Sequence, residues 1–287
     1  MERQIQYEVH EKENIYFAFK IIAALIGYFS IIYFVSLVVS RQPAAMIPLV
    51  VYSSIFIFYL LFKLGVMVGY IKGNSVKVSS SQFPEIHKIL VEQCQLLELD
   101  SMPDLYIMQN GGLLNAFATT FFGSNYIVIY SDILEEAYEN NIEAVKFVIG
   151  HELGHIKRKH LTKSVLLFPS AFIPFLNSAY SRGCEYTCDN IGAALSPKGA
   201  KPGLILLASG KRLWKKVNVE KFTDQEITED GFWFWFAEKV STHPRLTKRV
   251  LRFKNLKTVK EVFVPPVVIE AEPAVRKESD HANYMPK

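Results

Sequence analysis

Three residues within Phe147 to His160, FVIGHELGHIKRKH, could do chemistry together. His151 and His155 stand four apart, so on a helix they share one face. Two imidazoles set that way can hold one metal ion. Glu152, beside them, can take a proton from a water at that metal. The pattern is HExxH, and its chemistry is metal-assisted hydrolysis.

The helix that must carry them has its own signature. Ile142, Val145, Ile149, Leu153 and Ile156 recur at spacings of three and four and make an apolar stripe. His151 and His155 lie off that stripe, beside Ala144 and Val148. Asn140 stands where a cap would, with Glu143 three residues on. Lys157, Arg158 and Lys159 sit at the end where the helix dipole favours cations. A third protein ligand is still needed. In the gluzincin arrangement it is a glutamate on a second helix, and Glu185 in SRGCEYTCDNIGAA meets that need. Asp189, four residues on, shares its face and could accept a hydrogen bond from a ligating imidazole. The metzincin alternative wants glycine three residues after the second histidine and histidine six after it. Arg158 and Leu161 stand there instead.

Composition narrows the setting. Half of the 287 residues are hydrophobic, the formal charge is only +4, and no long basic run occurs. Nucleic acid is therefore not an expected partner. The cysteines, Cys94, Cys184 and Cys188, are too few and odd in number for a disulfide framework, which fits a reducing compartment. Ile21–Val39 and Ala44–Phe62 are each 19 residues without charge, about the length that crosses ~30 Å of hydrocarbon. No small-residue cleavage site follows the first, so it reads as a retained span and not as a signal peptide. The short SRQPA link makes the pair a membrane hairpin. Arg3, Lys12 and Lys20 precede it, Lys63, Lys72 and Lys77 follow it, and only Arg41 lies between the spans. That bias predicts a multi-pass protein of the cell membrane with its catalytic part in the cytoplasm.

Downstream, Pro84 to Leu97 reads as a helix. Leu105–Met108, Asn115–Phe122 and Tyr126–Tyr130 read as strands of a small sheet just before the metal helix. Residues 165–176 are apolar but broken by Pro169 and Pro174, so either an apolar hairpin near 164–180, resting on or dipping into the membrane surface, or a loop in the core is expected. Residues 200–215 look helical and 221–231 look like a polar loop. The run FWFWF at 232–236 is expected either on the sheet or at the membrane interface.

Four stretches in order now carry a resemblance. They are Asn115-Ala-Phe-Ala118, His151-Glu-Leu-Gly-His155, the run from Ser181 and Arg182 through Glu185, Tyr186, Asp189, Gly192 and Ala193, and Thr242-His243-Pro244 with Arg249 after it. Together they resemble the membrane-bound zinc metallopeptidases of the HtpX type, relatives of the CAAX prenyl proteases. The resemblance implies one Zn2+ per chain on His151, His155 and Glu185. It makes Glu152 the general base and then the proton donor. It implies that Asn115, Ala116, Phe117 and Ala118 form an edge strand along which substrate pairs. It places His243 either at the oxyanion or in a purely structural His-Pro helix start, and puts Arg182 beside Asp189 or along the site. Three departures stand out. The stretch before Glu185 is shorter than in HtpX proteins with a second hairpin, Thr120 replaces a usual glycine, and Cys184 and Cys188 flank Glu185.

The expectation is an α+β fold: two N-terminal transmembrane helices, then a mainly helical zincin-like catalytic domain with a small β-sheet. Its divisions are a hairpin over 1–70, a metallopeptidase domain over 71–262 and a disordered tail over 263–287. The expected function is that of a membrane-anchored zinc endopeptidase. It would cut membrane-associated or misfolded proteins through a metal-activated water, with a peptide or protein substrate and the lipid bilayer as partners. Two alternatives stand beside it. One is a non-catalytic membrane adaptor binding peptides along its edge strand. The other is a dedicated processing protease for lipidated or signal peptides.

Overall fold

The computed structural model describes residues 5–109, 116–121, 123–139 and 142–253. The expected tail at 263–287, the proposed cap Asn140 and the strand residue Asn115 lie outside them. The imidazole of His10 accepts a hydrogen bond from the Lys12 amide and opens helix α1 (Glu11–Arg41). After a 3-10 turn at Pro43–Ala45, α2 runs from Met46 to Asn74. Both helices are long and apolar enough to cross a membrane, and their middles present bare Leu, Ile and Phe. Both also outrun the 19-residue spans. The start of α1 and the end of α2 continue into the rest of the protein.

A four-stranded sheet follows, in the order β1-β2-β4-β3. The strands are β1 (Val76–Lys77), β2 (Asp104–Met108), β3 (Ala116–Phe121) and β4 (Ser124–Tyr130), with α3 (Pro84–Leu96) between the first two. β2 and β4 run parallel, Tyr106 opposite Val128, and β3 returns antiparallel, Ala118 opposite Ile127. Alternation divides the strands between two faces. Leu105, Ile107, Ile127 and Ile129 point into the main core. Tyr106, Tyr126 and Val128 point the other way, onto Val68 and Ile71 of α2.

The remaining helices pack beside the sheet: α4 (Ser131–Glu139), α5 (Ile142–Lys157), α6 (His160–Leu166) and α7 (Leu176–Leu195). They are followed by α8 (Ala200–Ser209), α9 (Val219–Thr228), α10 (Phe232–Val240) and α11 (Leu246–Arg252). Helix α5 was expected to bury one stripe. It is buried on nearly every side, because α7 packs on Phe147, Gly150 and Gly154, α8 packs on Phe147 and Ala144, and α3, α4 and β3 pack around the rest. Close packing of the two helices depends on Gly192, where a Cβ would stand 2.8 Å from the Phe147 carbonyl oxygen.

Two expectations change. Residues 219–228 are a helix, not a loop. Asn218 caps it through the Lys221 amide, and Glu226 anchors it to Arg245 and Thr247. Ion pairs hold this helix where an apolar stripe is missing. The FWFWF run forms the exposed helix α10, away from the sheet, with Trp233 76% exposed.

Candidate metal centre

His151 and His155 rise from α5, and Glu185 comes from the middle of α7. His151 Nε2 lies 3.4 Å from Glu185 Oε2, and His155 Nε2 lies 3.3 Å from Glu185 Oε1. One donor atom from each of the three residues falls within 4.8 Å of the other two. Ligands at about 2.0–2.2 Å around a tetrahedral ion have edges of about 3.3–3.6 Å, so this donor set fits one cation.

The site's charge favours that reading. Glu185 and Asp189 are buried carboxylates with a single buried guanidinium, Arg249, between them. Arg249 donates through Nε to Asp189 Oδ2 at 2.8 Å and through Nη2 to Oδ1 at 2.6 Å, and its Nη1 stands 3.4 Å from Glu185. With His151 neutral, these two carboxylates outnumber the one guanidinium beside them, and a proton or a metal ion at the histidines restores the balance. Burial alone would raise the Glu185 pKa. Hydrogen bonds from His151 and His155 and the charge of Arg249 outweigh it and hold the carboxyl well below its usual range. Burial likewise opposes protonation of His151, yet Asp189 and Glu185 carry its pKa up to about 10. The field that does this also attracts a divalent ion. His151 Nδ1 meets Asp189 at 3.0 Å, as expected of a carboxylate that orients a ligand.

Glu152 is buried at the wall of a cleft of about 800 Å³ that also takes in Ala116, Ala118 and His243. By strand order, β3 is the edge of the sheet, and it packs along α5. His243 comes from the loop before α11, and its Nε2 lies 3.5 Å from Glu185 Oε1. Arg182 departs from expectation. It does not pair with Asp189. Its Nη1 donates to the carbonyls of Glu238, Lys239 and Ser241. It sits one turn before Glu185, where the end of α10 offers unpaired carbonyls. It thereby holds the loop that carries His243. Arg249 takes the position by Asp189 that sequence reasoning gave to Arg182, and only its place after the His-Pro pair hinted at it. Cys94, Cys184 and Cys188 are all free and buried.

Residues 80–172 match the model described as peptidase family M48. This chain resembles the HtpX-type M48 metallopeptidases. It is 30% identical over 177 residues to the plastoglobule-localized metallopeptidase 48, chloroplastic, of Arabidopsis thaliana, covering 55% of this chain and 50% of that protein. It is 28% identical over 213 residues to a protease HtpX homolog of Helicobacter acinonychis (strain Sheeba), covering 61% and 67%. The chain thus spans half the length of the first relative and two thirds of the second. A crystal structure of S. mikatae Ste24p aligns over 86% of this chain and 67% of its own, at a TM-score of 0.45 and 15% identity. The M48 match stops at residue 172, short of Glu185.

Proposed function

We propose that this M48-like chain is a membrane-anchored zinc endopeptidase. The observation that carries the proposal is the convergence of His151, His155 and Glu185 beside Glu152 in a cleft edged by β3. His151, His155 and Glu185 would hold the zinc, one ion per chain. When bound, zinc supplies acidity to a water and polarises the carbonyl to be cut. The buried Glu152 carboxylate takes the proton of the attacking water and passes it to the leaving nitrogen. An extended peptide lies along β3, and Ala116 to Ala118 set its register through backbone hydrogen bonds. The exposed imidazole of His243 donates to the oxygen that gains charge at the scissile carbonyl.

The substrate class follows from the anchor. Helix α1 packs beside α7, which carries Glu185, so proteins at or in the bilayer meet the cleft at the highest local concentration. Membrane-associated and misfolded proteins fit that access best. The apolar residues of α1 and α2 support a two-span anchor, and the cations flanking them support a cytoplasmic cleft.

Purified wild type and Glu152→Gln, compared on casein with zinc and with a chelator, test this. Wild type should cleave, and the variant should lose at least about a hundredfold while keeping its zinc. Equal cleavage by both proteins, or a wild type that binds no metal, would sink the proposal.

A further inference from the structure

Each of the two histidines on α5 has a second ring nitrogen that needs a partner. For His151 it is Asp189. For His155 it is another histidine: Nδ1 of His155 lies 3.1 Å from Nδ1 of His160. His160 opens α6, straight after Lys159 in left-handed backbone with φ 53°. That reversal folds the His160 ring back toward α5. Its far nitrogen, Nε2, lies 3.3 Å from Oε1 of Glu13 on α1. Both groups are buried, Glu13 with 1% exposure and His160 with 6%. His160 Nε2 has no aligned hydrogen-bond partner among the described residues, and Oε1 of Glu13 is the carboxylate oxygen that faces it.

The protons then have one arrangement. With a cation held at His155 Nε2, the nitrogen that faces Glu185, the proton of the neutral ring sits on Nδ1. His160 must accept that proton at Nδ1 and therefore carries its own on Nε2, facing the Glu13 carboxylate. Arg158 donates to the same oxygen of Glu13, Oε1, from Nε at 3.1 Å and Nη2 at 2.8 Å. Resting on the reading of His151, His155 and Glu185 as ligands, we propose that Glu13 and His160 are positioning residues. They hold His155 for the metal and make zinc affinity depend on the docking of helix α1.

The docking is built for closeness. A Cβ on Gly183 of α7 would stand 2.7 Å from the Glu13 amide nitrogen, so the first turn of α1 lies directly on α7. The His10 amide donates to Thr187 Oγ1 at 3.1 Å beside it. A second metal ion is the competing use of this corner, since Glu13, His160 and Cys184 offer donor atoms within 4.8 Å of one another. The surrounding charge opposes it. Arg158 already holds Oε1 of Glu13, and Lys163 adds positive charge near both Glu13 and Cys184.

The test is zinc affinity of the full-length apo protein in detergent, by competition with a chelator of known strength. His160→Phe should bind zinc about 10–100-fold more weakly and shift the absorption bands of the cobalt-loaded protein. His160→Asn, whose amide oxygen can stand near the place of Nδ1, should recover most of the affinity while cutting the link to Glu13. Glu13→Gln should weaken zinc about tenfold in the His160 background and leave it unchanged in the His160→Asn background. That last comparison cancels any general damage from unpairing Arg158, and it stands even if His160→Phe fails to fold. Equal losses from Glu13→Gln in both backgrounds would overturn the relay. So would two zinc ions per wild-type chain, one of them lost in Cys184→Ser. Wild type that binds no zinc would instead remove the ligand assignment itself.

Discussion

Arg249 is the residue whose removal the site should tolerate least. It is fully enclosed and is the guanidinium that meets both Asp189 and Glu185. Arg249→Met leaves Asp189 and Glu185 buried with only His151 between them and should cost about 3–5 kcal/mol, seen as a fall in melting temperature of the apo protein. Arg249→Lys should recover only part of this, because an ammonium cannot make the two-pronged contact with Asp189. These partnerships mark the limit of what the sequence reveals. His151, Glu152 and His155 are legible because four residues make one helical turn. Asp189 is legible from Glu185 by the same spacing. Arg249 lies 60 positions from Asp189, and Glu13 lies 145 positions from Arg158. No local periodicity connects such pairs. Only the packing of α1, α7 and α11 brings them together.

At the level of elements, the packing of α5 against α7 sets the geometry of the three proposed ligands. Gly192→Val should force the helices apart at Phe147, cost about 1–3 kcal/mol and weaken zinc binding while leaving all three proposed ligands in the sequence. Thermal melting beside a zinc titration checks it. The start of α1 makes a pH prediction. Burial, then the charges of Arg252 and Lys12, lower the His10 pKa to about 4 against the opposing pull of Glu13. The unfolded chain takes up that proton near pH 6.5, while the folded protein resists it. The unfolded state binds more protons in this window, so stability present above pH 6.5 is lost as pH falls toward 4. Protonated His10 also cannot accept from the Lys12 amide. Hydrogen exchange should therefore show amides of the first turn of α1 opening over that range, and His10→Asn should lessen the dependence while keeping a cap; burial also lowers the His160 pKa to about 4, so a part remains. Length without charge made α1 and α2 readable in advance, and an apolar stripe made α3 and α5 readable. Helix α9 was not readable, because its stability comes from Glu226 and its distant cations. The full burial of α5 was also hidden, since its second covered face is made of small residues that carry no hydropathy signal.

For the molecule as a whole, the exposed apolar side chains gather in places that a bilayer would cover. Beyond the two long helices, Phe168, Phe172, Ile173 and Phe175 stand bare between α6 and α7, and Trp233 and Trp235 stand bare on α10. Phe175 and Phe236 meet with ring centroids 6.1 Å apart, so the two groups form one surface. In vesicles with brominated acyl chains, Trp233 and Trp235 should be quenched. Trp214, packed on the core, should not be, so the double variant Trp233→Phe/Trp235→Phe should lose the quenching. Unchanged quenching in that variant would refute this seating.

The Tyr28 hydroxyl donates to the Leu166 carbonyl at 2.7 Å, tying the end of α6 to the upper part of the first apolar span. From Lys20 to Tyr28 is about 12 Å along a helix. A protein fastened to its anchor at that depth cannot rise or sink relative to its own floor. It becomes a gauge: a tethered chain would be cut at a set height above the lipid, whatever residues happen to arrive there. Spacers inserted between a substrate's own anchor and a fixed target sequence should shift the scissile bond along the chain and leave its distance from the membrane constant.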